Sequence, residues 1–188
     1  MNYEESQWTK SIHNQVLRLT NLVESLVSLT RMDEEKSRLT YNDFSLSDLV
    51  LETTEQFREM SKFFDKELVL EIEENIDYYG NEQSISQLVS ILIDNALKYG
   101  LKDKPIKVKL KKQAKKIFLQ TTNKVENLSS GNYDILFDRF YRADNSRNSN
   151  LEGYGIGLSI AKAIVLKHKG KITAESVDGK TIIFTVQL

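Results

Sequence analysis

The sequence has no cysteine and only two histidines among its 188 residues. A chain without cysteine forms no disulfide and offers no thiolate to a metal, which favours a reducing compartment. Two histidines leave little from which to build a zinc centre. These absences exclude a secreted disulfide scaffold and a cysteine-based metal domain.

Long apolar runs and a large excess of either charge are also absent. No run of about 18 or more apolar residues exists to span a bilayer, and no signal peptide opens the chain. The 26 lysines and arginines balance the 27 aspartates and glutamates, so the net charge does not point to nucleic acid or to an acidic partner. We expect a fragment with no membrane segment, whose length suits one domain with or without a helical appendage.

Apolar residues near the N-terminus recur at alternating steps of four and three, which is the spacing of a heptad seam. The residues of this seam and of the wider stripe around it are Ile12, Val16, Leu19, Leu22, Val23, Leu26 and Leu29. The spacing fits two arrangements equally well: a helix packed on its own domain, or a helix that meets a partner helix. Residues 32–48 break the period and predict a boundary between an N-terminal helix, residues 1–40, and a domain, residues 41–188.

The patterns of the second segment predict a mixture of helices and strands. Ser45 and Asp48 lie in FSLSD, which is typical of a helix N-cap, and they predict a helix that runs to about Phe64. Further strands are predicted over 68–72, 106–110, 117–119, 171–176 and 181–187, helices over 83–99, 133–141 and 156–169, and turns at 79–81 and 178–179. This order predicts the α+β class, with a layer of helices on a mixed sheet.

Eight lysines lie between Lys102 and Lys116, around the hairpin predicted from Ile106 and Ile117. One interpretation is a stripe that binds nucleic acid, but no aromatic residues alternate with the lysines to stack on bases. The other is that the lysines point outward from edge strands and prevent aggregation. The sequence favours the second interpretation, and no nucleic-acid partner is expected.

Two polar residues, Asp94 and Asn95, interrupt the apolar run ILIDNAL within the helix predicted over 83–99. Polar side chains in such surroundings need partners. Asn95 and Lys98 are three residues apart and share a helix face, so an amide oxygen and an ammonium group can together hold a hard cation and a phosphate. The alternative is that both residues simply mark a solvent boundary.

Three of the eight glycines, Gly153, Gly155 and Gly157, occupy alternate positions in EGYGIGLSIAK, directly before a predicted helix. Glycine lets the backbone approach a ligand closely, and the first turn of a helix offers free N–H groups to an anion. Just upstream, FDRFYRAD supplies Arg139 and Arg142, whose guanidinium groups suit phosphate oxygens. A glycine-rich turn alone is weak evidence, but the three elements together predict a phosphate site.

The segments LIDNALKYG, FDRFYRAD and GYGIGLSIAKAIV, in this order, resemble the asparagine box, the phenylalanine box and the second glycine box of bacterial two-component sensor histidine kinases. LRLTNLVESLVSLTRMD is similar to the second helix of their dimerisation hairpin, so the resemblance covers nearly the whole chain. It implies the two-layer α/β sandwich shared with the gyrase, Hsp90 and MutL ATPases. It also implies that the domain binds ATP with Mg²⁺.

The resemblance implies a role for each matching residue. Asn95 would ligate Mg²⁺, Lys98 would contact phosphate, and Tyr99 would lie near the adenine or ribose. Arg142 would reach the terminal phosphate, so Asn95, Lys98 and Arg142 form the implied catalytic set. Residues 143–152 would act as a lid over the phosphates. The other residues implied to bind the nucleotide are Phe140, Tyr141, Gly153, Tyr154, Gly155, Ile156, Gly157 and Leu158.

The resemblance further implies that the intact protein transfers the γ-phosphoryl group of ATP to a histidine on the missing first helix, and then to a response regulator. It implies a homodimer formed through the helical hairpin, and a cytoplasmic fragment of a parent protein anchored in the cell membrane. The fragment alone is expected to be inactive. A degenerate kinase that serves as a non-catalytic scaffold is the alternative, whereas a stand-alone ATPase does not explain the heptad helix.

Neither of the two histidines matches the phosphoryl-acceptor histidine of the family. The family's acceptor histidine is followed by an acid and then a proline, whereas His13 is followed by Asn14 and Gln15, and the only proline is Pro105. We interpret His13 as a residue at the flank of the seam. His168 precedes Gly170 near a helix end, where a histidine interacts favourably with the helix dipole.

Two further departures concern the pocket itself. In place of the first glycine box, with its adenine-binding aspartate, the chain has TTNKVENLSSGNYD, in which Asn123, Glu126 and Asn127 are possible substitutes. An amide oxygen accepts from an amine more weakly than a carboxylate does. One helical turn before Asn95, the family commonly has a polar residue near the metal, but this chain has Ile91.

Overall fold

The computed structural model describes residues 40–126, 128–141 and 155–188, together with scattered residues between 8 and 23 of the N-terminal segment. The described N-terminal residues are helical, and the side chains of Ile12, Val16, Leu19 and Val23 are exposed. The predicted division at residue 40 stays a prediction. His13, Asn127, Arg142, Gly153 and Tyr154 lie outside the described residues, as do Leu26 and the predicted lid.

The described part of the domain is a two-layer α/β sandwich, as predicted. Its four helices are α1 (Leu46–Glu55), α2 (Arg58–Phe63), α3 (Glu82–Tyr99) and α4 (Gly157–Lys167), with a short 3-10 helix at Asp134–Phe137. Its eight strands are β1 (Asn42–Ser45), β2 (Leu68–Ile72), β3 (Asp77–Gly80), β4 (Ile106–Gln113), β5 (Lys116–Lys124), β6 (Gly131–Asn132), β7 (Lys171–Ser176) and β8 (Thr181–Gln187).

The main sheet has six strands in the order β2-β4-β5-β8-β7-β6. β2 runs parallel to β4, and every other described pair is antiparallel, so the sheet is mixed as predicted. Along β4, β5 and β8 the side chains alternate between buried apolar positions and more exposed ones. This period of two buries one face of the sheet and leaves the other toward solvent.

Helices α1, α3 and α4 cover the buried face of the sheet. The apolar face predicted for α3 is confirmed, because all its members are buried: Ile85, Leu88, Val89, Leu92 and Ala96. α3 lies between α1 and α4 and packs on both. The helix that carries Asn95 and Lys98 is therefore the centre of the helical layer.

Three predicted strands are confirmed to the residue, and the predicted hairpin is confirmed with longer strands. Strands β2, β7 and β8 have the predicted bounds, and the hairpin of β4 and β5 forms with antiparallel pairing. At the predicted turn of the final hairpin, Gly179 has a φ of +67° and the carboxylate of Asp178 accepts from the N–H groups of Lys180 and Thr181. Glycine tolerates this backbone conformation without strain.

The predicted turn at residues 79–81 is wrong. Residues 77–80 form strand β3, which pairs with β1 to make a separate two-stranded sheet. Asn81 then caps α3, since its Oδ1 accepts from the Ser84 N–H at 2.9 Å. The pairing joins residues about 35 positions apart in four-residue strands that show no clear alternation, so it left no local signal.

The prediction of one continuous helix that reaches Phe64 is also wrong, because the structure has two helices there, α1 and α2. Ser45 is the N-cap as expected, and its hydroxyl accepts from the Asp48 N–H at 3.2 Å. Near the break, the Thr54 hydroxyl donates to the Val50 carbonyl, and the Phe57 N–H bonds to Thr54 O. A hydroxyl bonded back to the preceding turn bends a helix.

Two other helices are shorter than predicted. The helix predicted over 133–141 is a single 3-10 turn, because Asp138 is extended and Phe140 has a φ of +64°. The helix predicted over 156–169 ends at Lys167, and Lys169, rather than Gly170, has the left-handed backbone conformation. Gly170 instead allows a close approach, since a Cβ there would lie 2.4 Å from the Gln187 carbonyl oxygen.

The lysine-rich hairpin does not consist of edge strands, so that part of the prediction is wrong. β4 lies between β2 and β5, and β5 lies between β4 and β8. Lys107 and Lys109 point to the outer face of the sheet, opposite the buried Val108. Lys109 pairs with Glu71 on β2 at 2.7 Å, which lowers the pKa of that glutamate.

None of the helices within the described ranges combines the length and apolar character needed to cross a bilayer.

Candidate functional site

The last two turns of α3 carry three of the predicted site residues. Asn95, Lys98 and Tyr99 are all partly exposed there, next to the fully buried Ala96 and Leu97. Lys98 is held by an ion pair, because its Nζ lies 2.6 Å from Asp94 Oδ2. These side chains are about one third exposed, 31% for Lys98 and 35% for Asp94, so the pair stays accessible to a ligand.

The structure joins the phenylalanine box to the glycine box. The Phe140 N–H donates to the Gly155 carbonyl at 2.9 Å. Gly155 has a φ of +69°, and a Cβ there would lie 2.7 Å from the Tyr141 carbonyl oxygen and 2.8 Å from the Phe140 carbonyl carbon. Only glycine fits this junction, because a side chain would be strained and would clash with backbone.

In the phenylalanine box, the ring of Phe137 is buried and fixes the segment, whereas the ring of Phe140 is exposed. Phe137 is 2% exposed and packs edge-on against Phe184 of β8, with ring centroids 6.0 Å apart. Phe140 is 62% exposed, and Tyr141 is also exposed. The segment is therefore anchored in the core at one end and presents aromatic surface next to the glycine box at the other.

The first turn of α4 packs against α3 at Ile91, the residue that differs from the family pattern. A Cβ at Gly157 would lie 3.6 Å from Ile91 Cγ2. Ile91 is partly buried against the core, so its apolar side chain packs beside the start of α4. This contact gives a structural reason for an apolar residue at this position.

The same turn leaves backbone donors for a ligand. Ile156 is the N-cap of α4, and its buried apolar side chain has no acceptor for the N–H groups of the first turn. Those N–H groups and the helix dipole favour an anion at this end. The cofactor role implied for Ile156 stays a prediction. Its side chain lies in the core, whereas that of Leu158 is partly buried.

Of the possible substitutes for the missing aspartate, the structure distinguishes Asn123 from Glu126. Asn123 is 2% exposed at the inward face of β5, and its Oδ1 has no hydrogen-bond partner among the described residues. A Cβ at Gly100, directly after α3, would lie 3.4 Å from Asn123 Nδ2. Glu126 is exposed beyond the end of the strand.

Sequence reasoning missed the hydrogen bond that links His168 to Asn81. The ring is 9% exposed, its Nδ1 bonds to the Ile164 carbonyl at 2.8 Å, and its Nε2 accepts from the Asn81 N–H at 3.0 Å. Burial lowers the pKa of His168, so the imidazole is neutral near pH 7 and links the end of α4 to the start of α3. The prediction that His168 is a favourable residue at a helix end is confirmed, because its ring bonds to a carbonyl in the last turn of α4, and it does so as a buried imidazole.

Lys66 is a second buried titratable group that the sequence did not reveal. It is 8% exposed, and its Nζ donates to the Leu97 carbonyl in the last turn of α3. Burial lowers the pKa of this amine. The contact satisfies a carbonyl that the end of the helix leaves unpaired.

The described residues contain no group of three or more histidine, cysteine, aspartate or glutamate side chains arranged to hold a metal ion. A magnesium ion that binds through nucleotide phosphates needs few protein ligands. The amide oxygen of Asn95 is a suitable hard donor at the position that the asparagine box predicts. The donor set therefore fits a metal that arrives with a nucleotide.

Comparison with known proteins gives one family for most of the domain. Residues 80–188 match the family described as histidine kinase-, DNA gyrase B- and HSP90-like ATPases. The chain is 34% identical over 169 residues to the sensor protein DltS of Streptococcus agalactiae, covering 90% of this chain and 42% of DltS. It therefore spans less than half the length of this curated relative.

Solved structures show the same fold. The histidine kinase AdeS of Acinetobacter baumannii has a TM-score of 0.78 and 25% sequence identity, covering 99% of this chain and 86% of the AdeS chain. The histidine kinase ThkA, solved in complex with the response regulator protein TrrA, has a TM-score of 0.73 and 20% identity, covering 100% of this chain and 52% of ThkA. The chain belongs to the histidine kinase-, DNA gyrase B- and HSP90-like ATPase family, as the ATP-binding catalytic region of a two-component sensor histidine kinase.

Proposed function

We propose that this chain binds ATP together with Mg²⁺ and provides the phosphoryl group for a histidine that lies outside this fragment. The observation that supports this most is the hydrogen bond between Phe140 and Gly155. It holds the phenylalanine box and the glycine box at the start of α4, and α4 packs beside the helix that carries Asn95 and Lys98. When bound, ATP supplies the γ-phosphoryl group that is transferred.

Each described residue has a definite task in this proposal. Asn95 would offer its amide oxygen to Mg²⁺, and Lys98 would exchange its ion pair with Asp94 for a phosphate oxygen. The N–H groups at the start of α4 would neutralise phosphate charge without moving. Arg142, Gly153 and Tyr154 complete the proposed site, with residues 143–152 as a lid that excludes water.

Calorimetric titration with Mg²⁺ and a non-hydrolysable ATP analogue tests the nucleotide site. We expect micromolar binding that Asn95→Ala weakens at least tenfold, because the amide oxygen is lost. Gln83→Ala is the matched control, since Gln83 is an exposed amide at the opposite end of the same helix. Equal losses in the two variants, or no binding by folded wild-type chain, would refute the proposed site.

Phosphoryl transfer needs a second experiment, because the curated relative is more than twice as long as this chain. We propose that the chain phosphorylates a histidine on a separately supplied first hairpin helix, and that a response regulator then receives the phosphoryl group. The complex of ThkA with a response regulator supports the second step by fold alone. Acid-labile phosphate on the added helix is the expected result.

A non-catalytic scaffold is the second candidate, because Ile91 occupies the position where the family commonly has a polar residue near the metal, and TTNKVENLSSGNYD replaces the first glycine box. A scaffold would bind the added helix without transferring phosphate. The same experiment therefore separates the two functions, provided that binding of the helix is measured in parallel.

We also propose that the N-terminal helix pairs with a second copy of the chain in the intact protein. Ile12, Val16, Leu19 and Val23 are 50–62% exposed and follow the heptad spacing. Burial of such a stripe against a partner helix is the usual way to remove it from water. Val16→Glu should lower the dimer fraction in sedimentation equilibrium, and an unchanged fraction would contradict the pairing.

A further inference from the structure

The lysine cluster around the hairpin of β4 and β5 is not explained by edge strands, because both strands lie inside the sheet. The structure divides the cluster into two groups. Lys102 pairs with Asp65 at 2.9 Å, and Lys109 pairs with Glu71 at 2.7 Å. The lysines near the tip of the hairpin form no ion pair with an acidic residue in the described part of the chain; they are Lys111, Lys112, Lys115 and Lys116.

The fold brings a fifth lysine to this end of the sheet. Lys171, at the start of β7, lies opposite Gln187 of β8. Gln187 lies opposite Phe118 of β5, and Phe118 lies opposite Lys111 of β4. All four side chains of this row are at least partly exposed on the outer face of the sheet. Neighbouring strands are about 4.8 Å apart, so Lys111 and Lys171 lie roughly 14 Å apart although they are distant in the sequence.

Lysine side chains surround the centre of this row. Lys111 Nζ lies 5.8 Å from the centroid of the Phe118 ring, and Lys116 Nζ lies 3.3 Å from Gln187 Oε1. Lys116 precedes Phe118 by two positions and therefore points to the same face. We name this group the lysine corner, and its members are Lys111, Lys112, Lys115, Lys116 and Lys171.

The lysine corner carries positive charge that its surroundings do little to balance. Glu73 is the acidic side chain that contacts it in the described part of the chain, and its Oε2 accepts from the backbone N–H of Lys112 at 3.0 Å. That contact leaves the five ammonium groups without a carboxylate partner among the described residues. Like charges gathered on one face repel each other, and an anionic partner relieves this repulsion.

We propose that the lysine corner binds an anionic lipid surface through a peripheral electrostatic contact. The face of a sheet is broad, and the corner presents ammonium groups spread over it. Lysine is a point charge without the planar fork that arginine offers to single phosphates and nucleic acids. The ring of Phe118 lies under Lys111, so it is not a free platform on which bases stack. A diffuse negative surface therefore fits the corner better than a nucleic acid does.

The lysine corner is distant from the proposed nucleotide site. Lys116 begins β5, and Lys124 ends it beside Leu101, which follows α3. At about 3.3 Å per residue, the two ends of the strand are roughly 26 Å apart. Lipid contact at the corner would leave the nucleotide site open, so each proposal can fail without the other.

Sedimentation with vesicles tests the proposal on the wild-type chain. We would compare vesicles of phosphatidylcholine with vesicles that also contain about one third phosphatidylglycerol. We expect the chain to bind the anionic vesicles alone and to dissociate at high salt, because ions screen exposed charges. Equal binding to both kinds of vesicle, or no binding to the anionic ones, would overturn the proposal.

Substitutions locate the contact. Lys111→Gln combined with Lys116→Gln should weaken binding to anionic vesicles by about tenfold or more, because each lysine near such a surface contributes about fivefold. Lys102→Gln combined with Lys109→Gln is the matched control, since it removes the same charge from the paired lysines of the cluster. Equal losses in the two double variants would attribute binding to net charge and contradict a contact at the corner.

Two more measurements separate the lipid surface from other partners and from the nucleotide site. Lys112→Gln combined with Lys115→Gln, at the hairpin tip, should weaken vesicle binding in the same way while nucleotide affinity stays at the wild-type value. A single-stranded DNA or an acidic peptide that binds the corner more tightly than anionic vesicles do, and displaces them, would assign the corner to that partner and overturn the lipid proposal.

Discussion

Phe140 and Gly155 are joined by a backbone hydrogen bond of 2.9 Å, and both residues have the left-handed backbone conformation, with φ of +64° and +69°. The left-handed conformation of a phenylalanine is energetically unfavourable. It persists because the anchored ring of Phe137 and the start of α4 fix the chain on either side. The bond is thus a tertiary constraint that shapes one side of the proposed nucleotide site.

Gly155→Ala tests this junction. The new Cβ would clash with the backbone of Phe140 and Tyr141 and would hold alanine at a positive φ. We expect the free energy of unfolding to fall by about 1–3 kcal/mol, or the junction to open locally with a large loss of nucleotide affinity. Urea unfolding and calorimetry measure both effects.

Gly157→Ala is the control for that experiment. Its Cβ would meet only Ile91 Cγ2 at an ordinary contact distance of 3.6 Å, and alanine is the better helix former. Its stability should be unchanged or slightly higher. Equal destabilisation by the two substitutions would show that the backbone conformation of Gly155 is unimportant.

In the proposed nucleotide site, Asp94 would compete with the nucleotide for Lys98. The 2.6 Å ion pair must loosen before the ammonium reaches a phosphate, and the carboxylate repels the same phosphate. Exposed pairs are worth about 0.2–1 kcal/mol, so we expect Asp94→Asn to raise nucleotide affinity by about two- to fivefold at low salt. The gain should shrink at high salt because screening weakens both effects.

Glu82→Gln is the control for Asp94→Asn, because it removes the same charge from the exposed first turn of α3. Its nucleotide affinity should match that of the wild-type chain. A similar gain in both variants would attribute the effect to net charge and contradict competition for Lys98.

His168 makes the stability of the chain depend on pH. Burial holds its pKa below the usual 6.5, so between these two values the unfolded chain binds more protons than the folded one. Stability therefore falls as the pH drops through 6.5 and levels off below the folded pKa. His168→Gln should lose less stability than the wild-type chain between pH 7.5 and pH 5.5 in urea unfolding.

The glutamine oxygen can still accept from the Asn81 N–H, so this variant removes the titration while keeping an acceptor. His13 is present in both chains and cancels in the comparison. Parallel pH profiles for the two proteins would show that burial of His168 does not contribute to acid sensitivity.

The Asn81 side chain makes two hydrogen bonds, and substitutions can separate their contributions to stability. Its Oδ1 caps α3 at Ser84, and its Nδ2 donates to the Thr40 carbonyl at 2.9 Å. Asn81→Ala loses both bonds and should destabilise the chain by about 1 kcal/mol or more. Asn81→Asp keeps the cap acceptor but loses the bond to Thr40.

Hydrogen exchange distinguishes the two effects. In Asn81→Asp we expect faster exchange in residues 40–45 and near-normal protection of the first turn of α3, whereas Asn81→Ala should lose protection in both. Unchanged exchange of residues 40–45 in Asn81→Asp would mean that the Thr40 contact does not hold this segment.

The sequence by itself determined the elements whose signal is local. The face of α3, the bounds of β2, β7 and β8, and the positions of the three boxes follow from periodicity and short motifs within a few residues. Apolar residues that recur every second position in a strand, or every three or four positions in a helix, show which side of the element is buried. This burial is the main driving force of folding. These elements also placed Asn95, Lys98 and Gly155 on the correct segments.

Only the tertiary structure decided how distant segments meet. The pairing of β1 with β3, the bond from Phe140 to Gly155, and the link between His168 and Asn81 each join groups far apart in the chain. The sequence left Asn123, Glu126 and Asn127 as open candidates, and the structure distinguishes the buried Asn123 from the exposed Glu126. The physical reason is that hydrogen bonding and burial depend on neighbours in space, which periodicity along the chain does not report.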